Sequence, residues 1–160
     1  MSIFDRQLYP LSVVKNWLPV VAWVGLIFAF STDHFSSSNT SSIGPLLSSL
    51  LSGISALETD DVHLAIRKLG HWTEYLVLAV LLLRALNNDS DKRWELRHAS
   101  WTLALVLLYA ISDELHQTFV PTRTASINDV MVDVFGGICG ILWLFWYRGG
   151  IRAPTGRPAK

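Results

Sequence analysis

The sequence predicts an all-α integral membrane protein, a four-transmembrane-helix bundle with a short amphipathic helix in the outer loop between helices 1 and 2. Three observations lead there. Apolar residues make up 51% of the 160, more than a soluble domain this small can hide behind its large relative surface. Charged residues make up only 16%, against about 25% in ordinary soluble domains. The apolar residues also gather into four runs, each near the ~20 residues that cross ~30 Å of hydrocarbon. These runs are continuous rather than alternating, so they are helices, one of the two structures that satisfy their own backbone groups in lipid.

The first run is Leu11–Phe30, with Lys15 and Asn16 near its start. Its length and the poor cleavage site near Ala29 and Ser31 favour a retained helix over a cleaved signal peptide. Residues 31–67 form the connection to the second helix. Residues 31–42 are Ser-rich and read as irregular. Ile43, Leu46, Leu47, Leu50, Leu51, Ile54 and Leu57 then recur at intervals of three and four, one face of a short helix. Gly44-Pro45 suits its start. It is expected to lie on the outer membrane surface or cap the bundle, a mobile Ser-rich loop being the competing reading. Thr59, Asp60 and Asp61 read as the N-terminal cap of a second helix that begins before it enters lipid, its apolar run being Lys68–Leu86. The third run is Ala99–Leu115 and the fourth Ile127–Tyr147. Residues 1–10 precede the bundle of 11–147. Residues 148–160 are a Pro, Gly and basic tail, expected to be disordered.

Orientation follows from lysine and arginine. Ten of the thirteen fall in the N-terminus, the second connection and the tail, and three (Arg67, Lys68, Arg123) on the other side. The positive-inside rule therefore puts both termini in the cytoplasm and the first and third connections outside. Trp17, Trp72, Trp94, Trp101, Trp143 and Trp146 lie near predicted helix ends, as interfacial anchors do. The formal net charge is zero, so no nucleic-acid partner is expected. The single cysteine, Cys139, excludes an intramolecular disulfide or a cysteine zinc cluster and reads as a small packing residue.

Ionisable residues inside membrane helices are costly and mark functional candidates. Here they are His71 and Glu74 at the start of helix 2, Asp113, Glu114 and His116 at the end of helix 3, and Asp129 and Asp133 in the first turns of helix 4. Alternating helix direction brings all three groups to the outer ends. His71 and Glu74 are three apart, Asp113 lies three and four before His116 and Gln117, and Asp129 and Asp133 are four apart, so each group shares a helix face. Gly136 and Gly140 continue the Asp129/Asp133 face as a small-xxx-small pattern that permits close helix contact, turning that face into the bundle. Catalytic candidates are His71, Glu74, Asp113, Glu114 and His116; ligand-binding candidates are Lys68, Gln117, Arg123, Asp129 and Asp133. Arg67 lies one turn before His71 and is placed to join them. A structural ion pair, Arg123 with Asp129 or Asp133, is the competing account. The acids outnumber the nearby cations, however, so some are protonated or the site binds something positive. No cofactor is specified by these residues, a divalent metal ion being one compensation they allow. Tyr75, Tyr109 and Phe119 read as packing or anchoring residues. His34, His63 and His98 are assigned no role.

The stretch Arg67-Lys68-Leu69-Gly70-His71-Trp72-Thr73-Glu74-Tyr75, followed by an apolar run, resembles the helix-2 motif of VanZ-like membrane proteins. Ser112-Asp113-Glu114-Leu115-His116-Gln117-Thr118-Phe119-Val120-Pro121-Thr122-Arg123 resembles their second motif. Ala125-Ser126-Ile127-Asn128-Asp129-Val130, with Asp133 and Gly136 to Gly140, resembles the third. Thr122 departs from the family's usual glycine, and Asp133 stands where many members carry asparagine. The family takes its name from an accessory factor in resistance to teicoplanin, a lipid-bearing glycopeptide antibiotic. The resemblance implies a bacterial cytoplasmic-membrane protein linked to the envelope, whose partner is a membrane lipid or lipid-linked envelope molecule. It names neither an activity nor an oligomeric state.

Three functions compete. Ranked first is binding at the outer face of an envelope lipid, a lipid-linked cell-wall precursor or a lipoglycopeptide, or scaffolding of an envelope enzyme. A membrane-embedded hydrolase or transferase acting on such a lipid comes second, with His71 or His116 moving protons and Glu74, Asp113 or Asp129 as base, nucleophile or metal ligand. Transport ranks last, because helices 2 and 4 carry no charge at mid-depth.

Overall fold

Long apolar segments fold as four helices in the computed structural model, which describes residues 3–32, 59–87, 95–121 and 125–148. They are α1 (Ile3–Phe30), α2 (Thr59–Leu86), α3 (Leu96–Gln117) and α4 (Ile127–Tyr147). α1 begins eight residues before the apolar run that foretold it, because a helix continues past lipid wherever its backbone bonds do. α2 likewise starts at Thr59, well ahead of its apolar stretch. The bounds of α4 coincide with the fourth run. Its N-cap is Ser126, whose hydroxyl accepts the Asn128 amide at 3.2 Å, and Asp129 in the first turn faces the positive end of the helix dipole. The amphipathic helix expected within residues 43–57 lies outside the described residues.

Three of the helices are long and apolar enough to cross a membrane, over Val13–Phe30, Leu64–Leu86 and Ile127–Tyr147. They mark a multi-pass membrane protein. α3 is not among them. Its 22 residues suffice in length, but the polar segment Ser112–Gln117 dilutes its apolar centre. Large apolar side chains stand exposed along the outside of the bundle, among them Leu18 and Val21 on α1, Leu108 and Leu115 on α3, and Phe135 and Trp146 on α4. Outward-facing apolar surface of this extent is what lipid covers.

α2 is the hub. It packs against each of the other helices, most extensively against α4. The core is built of Tyr75, Leu78, Ala79, Leu82 and Leu83 from α2, Val106 and Ala110 from α3, Ile141 and Leu144 from α4, and Val20 and Ile27 from α1. Gly136 and Gly140 bring α4 onto the α2 backbone. A Cβ at Gly136 would strike the Trp72 carbonyl oxygen, and one at Gly140 the Leu76 carbonyl oxygen. Gly137 faces α3, where a Cβ would stand 2.7 Å from Val106 Cγ1. α1 is fastened by two side-chain bonds to backbone carbonyls: Trp23 Nε1 donates to Glu74 O at 2.9 Å, and Tyr109 Oη donates to Val24 O at 2.7 Å.

Candidate functional site

The close approach of α2 and α4 at the glycines sets what happens one to two turns above them. α2 and α4 run parallel and α3 runs antiparallel against both, so the start of α2, the end of α3 and the start of α4 meet at one end of the bundle. Arg67 on α2 donates from Nη2 to Asp129 Oδ2 on α4 at 2.7 Å, its side chain one-third exposed and that of Asp129 buried. One turn deeper, His71 Nδ1 stands 3.2 Å from Asp133 Oδ1. That is ion-pair distance, yet the two atoms are not aligned for a hydrogen bond. Asp133 is wholly buried.

α3 supplies the third wall. Gln117 Nε2 donates to Asp113 Oδ2 at 3.3 Å, the shared face expected from their spacing. Glu114 reaches across to the N-cap of α4, where its Oε2 accepts the Ser126 backbone amide at 2.6 Å. Its carboxylate thereby fixes the start of α4, and its second oxygen, Oε1, is buried without a hydrogen-bond partner. His71, Glu114 and Asp133, all buried, offer ligand atoms that lie within 4.8 Å of one another.

The buried side-chain atoms without a hydrogen-bond partner include His71 Nδ1, Tyr75 Oη, Asp113 Oδ1, Glu114 Oε1, Gln117 Oε1 and both oxygens of Asp133. Each unpaired buried polar atom costs about 1–3 kcal/mol, more when charged. Native proteins keep few of them, and here most lie at the end of the bundle where three helices meet. The arrangement can accept donors or a cation, because carboxylate and amide oxygens dominate it.

His116 turns to α1, its ring 4.5 Å from that of Phe28, with Nε2 buried. Glu74 is half-buried one turn below His71, and its backbone oxygen is the one that holds Trp23. Lys68 is half-buried, and the pairing with α4 falls to its neighbour Arg67. Arg123 lies outside the described residues. Two participants were undervalued by sequence reasoning. Arg67 is a cation on Asp129, and its position one turn before His71 was the available signal. Tyr75, read as a packing residue, is wholly buried with its hydroxyl unpartnered; its spacing of four from His71 could have placed it on the same face. At the opposite end of the bundle His98 Nδ1 contacts Asn87 Oδ1 at 2.7 Å and Nε2 lies 3.6 Å from Glu95, a cross-link of α2 to α3.

Comparisons with curated proteins and with solved structures each gave no match. The sequence model of the VanZ/LLP1 family matches residues 16–148, which includes every residue of the polar cluster. A match over that share of the 160 residues settles the relationship: the chain belongs to the VanZ/LLP1 family.

Proposed function

We propose that the protein is a four-span protein of the bacterial cytoplasmic membrane that binds the polar head of an envelope lipid, a lipid-linked cell-wall precursor or a lipoglycopeptide at the outer ends of α2, α3 and α4. The observation that carries this reading is the set of buried, unpartnered polar atoms between three helices whose outer faces are apolar. Atoms so placed gain by pairing with a ligand, and a molecule with a lipid tail reaches them from the bilayer itself. α3 fits as the fourth span, because Leu105, Leu107, Leu108 and Ile111 turn outward at its centre while its polar residues lie at its end. The positive-inside distribution supports an external site. The juxtaposition of His71 and Asp133 favours a second reading, hydrolysis or transfer on the same head group, with imidazole as proton carrier and carboxylate as its orienting partner.

Orientation has its own test. In a Cys139→Ala background, Ser37→Cys and Thr122→Cys are expected to react with an impermeant thiol reagent in intact cells. Labelling that needs lysis would put the polar cluster on the cytoplasmic side.

For the site, lipids retained by the protein in a mild detergent are measured by mass spectrometry. Wild type is expected to enrich one envelope lipid class, and Asp113→Asn to lose at least about tenfold of that enrichment while unfolding at an unchanged or higher temperature. The amide keeps size and hydrogen bonding while removing one unpaired negative charge, which relaxes a site strained for function. Equal enrichment in both proteins, or no enrichment in either, defeats the reading. Conversion of an added lipid-linked precursor by wild type but not by His71→Gln would establish the catalytic reading instead.

A further inference from the structure

An acidic cluster is a poor receptor for anionic head groups unless something positive is added. Arg67, the cation that the described residues place in the cluster, is already engaged with Asp129. Asp133 is wholly buried with neither oxygen hydrogen-bonded, and Glu114 Oε1 and His71 Nδ1 are likewise buried without a hydrogen bond. Water would satisfy hydrogen bonds but would leave the charge balance to protons on the two carboxylates or on His71, 3.2 Å from Asp133. A doubly charged cation satisfies both.

We propose that His71, Glu114 and Asp133 form a binding site for a divalent transition-metal ion, Zn2+ or Mn2+. One imidazole nitrogen and two carboxylate oxygens suit these ions, whereas Ca2+ takes six to eight oxygens. Two carboxylates and a neutral imidazole around a divalent ion sum to zero charge, the balance an apolar surrounding favours. The ligand atoms come from three helices and lie within 4.8 Å of one another. Donors around one such ion, at about 2.0–2.2 Å from it, are roughly 3–4 Å apart. His71 and Asp133 already meet that at 3.2 Å, so closure by about an ångström completes the set. Glu114 is also held ready: the Ser126 amide fixes one oxygen and leaves the other for the ion, the kind of outer bond that orients metal ligands. Three protein ligands leave coordination positions open to water or to a phosphate or carboxylate of a bound head group. That last role rests on the head-group reading above; the ion site itself does not.

The test uses the full chain, purified in detergent without a histidine tag, stripped with chelator and titrated separately with Zn2+ and Mn2+. About one ion per chain is expected for at least one metal, and X-ray absorption on the loaded wild type is expected to show a single imidazole among light ligands. Asp133→Asn, Glu114→Gln and His71→Asn should each weaken binding by ~100-fold or more, since even outer-bond losses cost 10–100-fold. Glu95→Gln, at the far end of the bundle, should bind as wild type. If a site variant does not fold, the wild-type stoichiometry and coordination decide the matter. No stoichiometric binding, coordination by no imidazole or by several, or undiminished binding in folded Asp133→Asn would overturn the proposal. The lipid arm separates the two readings. Lipid enrichment that survives chelation in a protein that binds no ion rejects the ion site and keeps the head-group reading. Stoichiometric ion binding without lipid enrichment supports the ion site and rejects the head-group reading.

Discussion

Replacing Gly136 or Gly140 with alanine is expected to destabilise the bundle by about 2–3 kcal/mol, the upper range for overpacking. Alanine is the better helix former by about 1 kcal/mol, so intrinsic propensity predicts the opposite sign. Packing wins because the added methyl meets something that cannot move aside. At both positions the obstacle is a backbone carbonyl of α2, that of Trp72 or of Leu76, and a carbonyl in mid-helix can retreat only with its helix. The two helices must part along the length that bears the core and the polar cluster. Gly25 and Gly70 provide the contrast, since nothing lies within 4 Å of a Cβ built at either. Thermal unfolding in detergent should fall for Gly136→Ala and Gly140→Ala and hold or rise for Gly25→Ala and Gly70→Ala. Equal behaviour of all four would mean that α2 and α4 do not touch as described.

The Arg67–Asp129 pair is expected to be lopsided. Arg67→Ala should cost about 2–3 kcal/mol, below the 3–5 kcal/mol of a fully buried pair, because the arginine side chain keeps one-third of its exposure. It leaves Asp129 buried beside Asp133 and Glu114 with its cation gone. Asp129→Asn should cost under about 1 kcal/mol, since the freed guanidinium can turn to water, where exposed pairs contribute little. The double variant Arg67→Ala/Asp129→Asn should then recover most of the arginine loss. Chemical or thermal unfolding of the four proteins closes the cycle. Equal losses in the two single variants, with no recovery in the double, would show that the acids do not repel one another and that the cluster is not overcharged.

Much of the architecture was legible because burial in lipid imposes a one-dimensional rule. A helix must be apolar for its crossing length, and Ile127–Tyr147 obeys it so cleanly that both ends were readable. α3 does not meet the rule, for Asp113, Glu114 and His116 sit inside the helix and lower its apolar character. Faces within a helix were legible as well: Asp113 with Gln117, and Asp129 with Asp133 above Gly136 and Gly140, follow from spacing alone. What spacing does not contain is the rotation of one helix against another. That rotation gives Asp129 to Arg67, aims Glu114 at the Ser126 amide, and turns His116 away toward Phe28, although all three were visible as polar residues. The Tyr75 hydroxyl escaped for a related reason, since an aromatic residue in an apolar run looks like packing until its oxygen is seen to have no partner.

The two bonds that fasten α1 have a bearing on depth. Trp23 donates to a carbonyl of α2 and the adjacent Val24 receives a hydroxyl from α3, so one step of α1 is locked along the bundle axis against two neighbours at once. Because both acceptors are main-chain oxygens, the identities of Val24 and Glu74 are free to drift without releasing the lock. With the spans placed as proposed, that fixed step sets the height of the α1 hydrocarbon belt against the belts of α2 and α4. Sliding α1 by a single turn would lift or sink it by about 5.4 Å, and the membrane would thin or thicken around the mouth of the polar cluster. With that placement the pair of bonds is a depth gauge, fixing the height of α1 against the helices that carry the acidic cluster.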